Sequence, residues 1–205
     1  AAGALAKQLL TIFGIETFGY VVELGGMAVP AVYGTLAEQR AIRDQSSIYS
    51  LNPQMDPEVE RRIDEAGKAG DTLGGTFEVI VQKLPVGLGS YVQWDRKLDG
   101  RLAQAVMSIP AIKAVSIGDG VEGAHRPGSQ VHDEIVANPA AAAGTPAILR
   151  PTNRAGGLEG GVTNGEDIRV TAVMKPIAVF ASSASTPREA ETRAISSSIS
   201  ALRFV

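Results

Sequence analysis

Cysteine is absent from the 205 residues. That excludes a disulfide framework, a thiolate metal site and a cysteine nucleophile. It fits a reducing compartment, so a cytoplasmic location is expected. Histidine occurs twice, at His125 and His132, too few for a multi-histidine metal centre, and no metal is expected. Excess positive charge is also missing. A net charge of −3 offers no basic face of the kind that phosphate backbones require, so nucleic acid is not an expected partner. No apolar run has the length of a membrane-spanning helix, and no membrane association is expected. Residues 1–7 lack the basic segment that precedes the apolar stretch of a secretory leader. The chain opens on Ala1 with helical character from the start, and so reads as an excerpt of a longer protein.

What is present is ordinary globular composition, 44% hydrophobic and 20% charged, in a length that buries a core as one domain. Residues 4–13 read as a helix with Leu5, Leu9, Ile12 and Phe13 on one face, ended by Gly14. Residues 17–24 read as a strand stopped by Gly25-Gly26. Residues 28–55 carry no firm period and read as an irregular connection. Asp56-Pro57-Glu58 makes a helix start with Asp56 as its cap, and the helix runs to Lys68 with its stop at Gly70. Residues 75–84 read as a strand, 97–109 as a helix ahead of Pro110, and 111–117 as a short strand. Residues 121–149 form a long polar connection. Residues 158–163 and 168–175 read as an antiparallel hairpin turning at Asn164-Gly165, a pair favoured in type I′ turns. From residue 181 onward Ser, Thr and Ala dominate, and an ordered structure is not expected. Strands and helices without regular βαβ alternation indicate the α+β class.

Three groups of residues bear on chemistry. The run Gly156-Gly157-Leu158-Glu159-Gly160-Gly161 is neither the dinucleotide fingerprint nor a P-loop. It either exposes backbone N–H groups to a ligand or forms a bulged hairpin entry. Lys175, at a strand end, is either a solvated lysine or the partner of an anion. Asp119, His125, Arg126, Ser129, His132, Asp133 and Glu134 crowd one loop, as acid–base groups or as a solvated loop held by local turns.

Together these stretches resemble chorismate synthase. The resemblance rests on Gly70-Asp71-Thr72-Leu73-Gly74-Gly75, on Leu84-Pro85-Val86-Gly87-Leu88-Gly89, and on Lys97-Leu98-Asp99-Gly100-Arg101-Leu102-Ala103. It continues through Ile112 to Gly120, Gly128-Ser129 and His132-Asp133-Glu134. The most specific run is Asn153-Arg154-Ala155-Gly156-Gly157-Leu158-Glu159-Gly160-Gly161-Val162-Thr163-Asn164-Gly165, followed after one strand by Lys175-Pro176-Ile177. Residues 1–178 carry the resemblance. The tail from about residue 181 looks unlike the family, so the chain reads as a single truncated domain with a divergent end.

The resemblance implies an incomplete β-α-β sandwich of antiparallel sheets with helices between them, and a homotetramer in the full-length family. It implies anti-1,4-elimination of phosphate from 5-enolpyruvylshikimate 3-phosphate to give chorismate, the last step of the shikimate pathway, with reduced FMN. Carried over residue by residue, the cofactor contacts are Pro110, Ala111, Gly160, Lys175, Pro176, Ile177, Ala178 and Val179. Pro110 stands where the family is often polar, and Ala178-Val179-Phe180 is apolar where a hydroxyl is usual. The family's catalytic motifs, Gly-Glu-Ser-His and Arg-Ser-Asp among them, are absent, so no catalytic residue is assigned and neither histidine takes that role. The chain alone is expected to be inactive. The alternatives are a non-catalytic scaffold or flavin-binding remnant that joins an intact subunit, and an unrelated small-molecule binding module.

Overall fold

A computed structural model describes residues 2–31, 34–143 and 145–177. The expectations for Ala178, Val179 and the tail from residue 181 lie outside the described residues. The chain runs α1 (Ala2–Ile12), β1 (Glu16–Leu24), β2 (Met27–Ala28), α2 (Leu36–Gln45), α3 (Asp56–Lys68), β3 (Gly75–Gln82), α4 (Leu98–Met107) and β4 (Ile112–Ile117). Then come two-residue pieces β5 (Val136–Ala137), β6 (Ile148–Leu149), β7 (Leu158–Glu159) and β8 (Val162–Thr163), and last β9 (Ile168–Met174). One five-stranded sheet, ordered β2-β1-β3-β9-β4, organises the molecule, and its neighbouring strands all pair antiparallel. The class is the mixed helix and antiparallel sheet expected from the sequence.

Strand alternation sorts the sheet into two faces. Phe77 and Val79 of β3 and Ile168, Val170, Ala172 and Met174 of β9 are buried on one. There they meet Leu98, Leu102 and Val106, the apolar stripe of α4. On the other face Phe18 and Tyr20 of β1 pack with Leu51 and with Leu36 of α2. A third cluster ties Val59 and Ile63 of α3 to Val29 and Ile48.

The opposite face also holds a buried carboxylate. Glu78 accepts from the Tyr20 hydroxyl at 2.5 Å, from Arg169 Nη2 at 3.1 Å and from Thr171 Oγ1 at 3.4 Å. Register makes this set possible, because Tyr20 and Thr171 are both direct cross-strand partners of Glu78. Charge and hydroxyl donors satisfy a carboxylate whose burial would otherwise be costly.

Three expectations differ from the structure. The 28–55 connection contains α2, started by a capping box. Thr35 Oγ1 accepts from the Glu38 N–H at 3.3 Å, and Glu38 accepts in return from the Thr35 N–H at 2.7 Å. Asp56 does not cap α3, whose cap position is Met55. It is the first helical residue, and its carboxylate accepts instead from Ser46 Oγ (3.0 Å), Ser50 Oγ (3.2 Å) and the Ser47 N–H (2.8 Å), fastening the connection that precedes the helix.

The third difference is the hairpin. β7 pairs with β8, and the two-residue turn is Gly160-Gly161, with both φ values positive at 62° and 92°. Those are the values a type I′ turn requires. At Asn164-Gly165 only the glycine has positive φ, and Asn164 Oδ1 accepts from the Glu166 N–H at 3.0 Å in a local side-chain turn. β9 does not return along β8. Both of its edges are taken, by β3 and by β4.

Candidate functional site

The stretch after α4 reaches the end of β9 through its main chain. Ala111 takes φ 71°, one of three left-handed non-glycine residues among the described residues, and its carbonyl accepts from the Lys175 N–H at 3.0 Å. β4 then carries a register shift between Ile112 and Ala114, which leaves Lys113 as an extra residue. Left-handed backbone and bulges are features that concentrate at functional sites. Ala111 and Ile177 pack on the same core cluster, and Ile177 is further held by Thr72 Oγ1, which donates to its carbonyl at 2.8 Å. Gly74 closes the wall, since a Cβ there would meet the Met174 carbonyl at 2.5 Å. Pro110, Ala111, Lys175, Pro176 and Ile177 therefore share one end of the sheet. The Lys175 side chain is exposed and makes no ion pair among the described residues.

Gly160 lies elsewhere. The Gly161 carbonyl accepts from the Leu98 N–H at 2.9 Å, at the first residue of α4, whereas Ala111 follows the last turn of that helix. The ten residues of α4 separate the two by about 15 Å at 1.5 Å per residue. The glycines of this run divide by role. A Cβ at Gly156, Gly157 or Gly161 would strike Gly118, Asp167 or Lys97 at 2.3, 2.5 and 2.6 Å, so these three serve close packing. Gly160 faces open space, with nothing within 4 Å of such a Cβ. Beside this turn Arg150 donates to the Asn164 carbonyl at 3.1 Å and to Glu159 at 2.9 Å. Its Nε is buried without a hydrogen-bond partner.

The polar loop resolves into local ties. Asp133 accepts from Thr152 Oγ1 (2.6 Å), the Arg154 N–H (2.8 Å) and the Ala155 N–H (2.9 Å), which latches the long connection onto the glycine run. Partial burial pushes its carboxyl up, but those donors together bring it below the usual aspartate value. His125 is exposed beside Glu122 at 3.7 Å, and the His132 carbonyl accepts from Arg154 Nη1 at 3.4 Å. Arg126 pairs with Asp119 at 2.8 Å, and Asp119 lies 3.9 Å from Arg169. No group of three or more metal-ligating side chains occurs among the described residues, and no helix there is long and apolar enough to cross a membrane. Lys113, Arg150 and the latching role of Asp133 were not singled out in the sequence. A lysine at a bulge and an arginine near a turn carry no local signal, because the register and contacts that define them are long-range.

The family model for chorismate synthase matches residues 1–201. The chain belongs to the chorismate synthase family. Chorismate synthase of Geobacter sulfurreducens is 49% identical over 179 residues, which is 86% of this chain and 46% of the relative. That of Bacillus cytotoxicus is 49% identical over 178 residues, covering 86% of this chain and 44% of the relative. A crystal structure of chorismate synthase superposes with a TM-score of 0.78 at 37% identity, covering 98% of this chain and 59% of that one. The chain thus spans about half the length of the curated relatives it matches.

Proposed function

We propose that this chain carries part of the cofactor-binding half of a chorismate synthase and that it does not complete the reaction by itself. The reaction is anti-1,4-elimination of phosphate from 5-enolpyruvylshikimate 3-phosphate, with reduced FMN. The observation that carries the reading is the 3.0 Å bond between the Lys175 N–H and the Ala111 carbonyl. It joins two stretches far apart in sequence that both belong to the proposed cofactor contacts.

The residues present fit such a group. Ala111, Pro176 and Ile177 offer apolar surface for a ring, and Lys175 offers an amine with no carboxylate partner among the described residues. A cation there favours negative charge on a bound ring or phosphate. Gly160 supplies open backbone at the other end of α4. Bound reduced FMN would lend electron density as phosphate leaves and recover it as the ring hydrogen is lost. The residues of this chain would bind and orient that group. No acid or base is assigned among them, because the Gly-Glu-Ser-His and Arg-Ser-Asp motifs do not occur in this sequence and neither His125 nor His132 takes their place. Assembly as a homotetramer and a cytoplasmic location complete the proposal.

The experiment is an anaerobic titration with reduced FMN, followed by a chorismate assay with substrate, on this chain and on a chain extended at both ends to a full relative's length. Weak cofactor binding and no chorismate are expected from the first, and turnover from the second. Sustained chorismate production by this chain alone would overturn the reading. A second reading, a scaffold that associates with an intact subunit, draws on α1 and the residue after it, where Leu5, Leu9, Ile12 and Phe13 are 56–79% exposed. Apolar stripes of this kind favour association. Co-sedimentation with a complete subunit tests it.

A further inference from the structure

β9 ends at Met174, the last of its residues to pair with β3, opposite Gly75. The three residues that follow leave the sheet, and Pro176, without an N–H, cannot donate to a ladder. Lys175 is held on the β4 side, where its N–H donates to the Ala111 carbonyl at 3.0 Å. On the β3 side the holding group is a side chain. Thr72 Oγ1 donates to the Ile177 carbonyl at 2.8 Å, across 105 positions of sequence. Among the described residues no other hydrogen bond reaches Pro176 or Ile177.

Thr72 stands on a turn that is itself fixed. Past the end of α3 the chain reverses at Gly70, φ 71°, and the Asp71 N–H donates to the Ala66 carbonyl at 2.9 Å. The Thr72 N–H donates to Asp71 Oδ1 at 2.7 Å, and two residues on the Gly74 carbonyl accepts from the Gly25 N–H at 2.9 Å. Gly74 lets this turn lie against the outgoing chain, since a Cβ there would stand 2.9 Å from Pro176 Cδ. The Thr72 hydroxyl is therefore presented by backbone held on both sides, the condition for one group to set the position of another. The carbonyl it serves is on a half-buried residue. Left without a donor, such a group either costs desolvation or moves until water reaches it.

We propose that Thr72 is a positioning residue for cofactor binding, a role that rests on the reading of Lys175, Pro176 and Ile177 as cofactor contacts. Thr72 acts through Ile177 and does not itself meet the cofactor. Two bonds bracket the segment, Lys175 to Ala111 on one flank and Ile177 to Thr72 on the other. With both made, Ile177 stays on the cluster that holds Ala111, and the exposed Lys175 side chain springs from a fixed backbone. Without the Thr72 bond the chain beyond Lys175 is tied by apolar contact alone, which is non-directional. Binding must then order residues that the parent chain already holds in place, and that cost is read as lost affinity.

The test is a fluorescence titration with FMN of the chain extended at both ends to a full relative's length, as parent and as Thr72→Val, Thr72→Ser and Thr171→Val. Valine keeps the shape of threonine and removes the hydroxyl, whereas serine keeps the hydroxyl. Thr171→Val removes a hydroxyl from the sheet face opposite α4, where Thr171 Oγ1 reaches Glu78 at 3.4 Å, and controls for a general loss of stability. Thr72→Val should weaken FMN binding by roughly three- to tenfold, the worth of one hydrogen bond. Thr72→Ser should restore the parent affinity, and Thr171→Val should leave it unchanged. Without FMN, the Lys175 amide should lose exchange protection in Thr72→Val and in neither of the others. If denaturation shows Thr72→Val to be unfolded, Thr72→Ala, which leaves room for water at the Ile177 carbonyl, takes its place with the same loss expected. Equal FMN affinity in the parent and Thr72→Val would overturn the proposal and leave the cofactor reading standing. So would equal losses in Thr72→Val and Thr171→Val, or a Thr72→Ser as weak as Thr72→Val. An extended parent chain that binds no FMN would instead overturn the cofactor reading, and this role with it.

Discussion

The carbonyl of Ala111 accepts from the N–H of Lys175 over 3.0 Å, and Ala111 makes this bond from a left-handed backbone at φ 71°. A side chain in that region costs about 1–2 kcal/mol, which glycine avoids at the expense of unfolded-state entropy. Ala111→Gly is therefore expected to raise stability by about 0.5 kcal/mol, and Ala111→Val to lower it by more than about 1 kcal/mol. Urea denaturation measures both. Equal midpoints for all three chains would mean that the conformation at Ala111 is not maintained in solution.

Removing the cation from the buried carboxylate should be costly. Glu78 is nearly buried, and Arg169, a third exposed, is its charged partner. Breaking a fully buried pair costs about 3–5 kcal/mol, and the exposure of Arg169 reduces this to about 2 kcal/mol for Arg169→Met. Glu78→Gln combined with Arg169→Met should lose less than Arg169→Met alone, since no charge is then stranded. A double-mutant cycle showing simple additivity would contradict this coupling.

The latch at Asp133 makes a pH-dependent statement. Its folded carboxyl lies below the ordinary aspartate value, so its contribution is present above about pH 4 and is lost as pH falls toward the lower folded value. Amide protection in the 121–149 connection, taken relative to intrinsic exchange at each pH, should fall over that acid range. Asp133→Asn should raise exchange there at neutral pH and remove the acid-dependent part. A variant whose loop protection matched the parent at every pH would show that the latch holds nothing.

At the start of α2, Thr35→Ala removes the acceptor for the Glu38 N–H and ends the reciprocal bond. The expected cost is about 1 kcal/mol, read from chemical denaturation, with Thr35→Ser close to neutral. A loss in Thr35→Ser as large as in Thr35→Ala would argue that the threonine methyl, and not the cap, is what matters.

How much of this was legible beforehand depends on the range of the interaction. α3 and α4 were readable because acids at a helix start, the Pro57 position and a stripe at helical spacing act within a few residues. α2 was readable in principle from Thr35-x-x-Glu38, a local signature, although its weak apolar period concealed it. The role of Asp56 is not legible locally, because an aspartate ahead of a proline satisfies the rule for a cap. Its true partners, Ser46 and Ser50, are brought to it by the fold of the preceding connection.

The sequence by itself determined the family, the alternation of β9 and the glycines that only positive φ permits. It did not determine which glycine pair turns the chain. Gly160-Gly161 and Asn164-Gly165 are both adequate turn formers. The choice was made by β3 and β4, which occupy both edges of β9 and leave none for β8. Tertiary structure also decided that Ala111 meets Lys175 while Gly160 stands a helix length away, and that Arg40 and Arg43 both lie over the Phe18 ring. These pairings cross 22 to 64 positions of sequence. Local propensity acts within a turn or two, so contacts at that separation are fixed only when the sheet register closes.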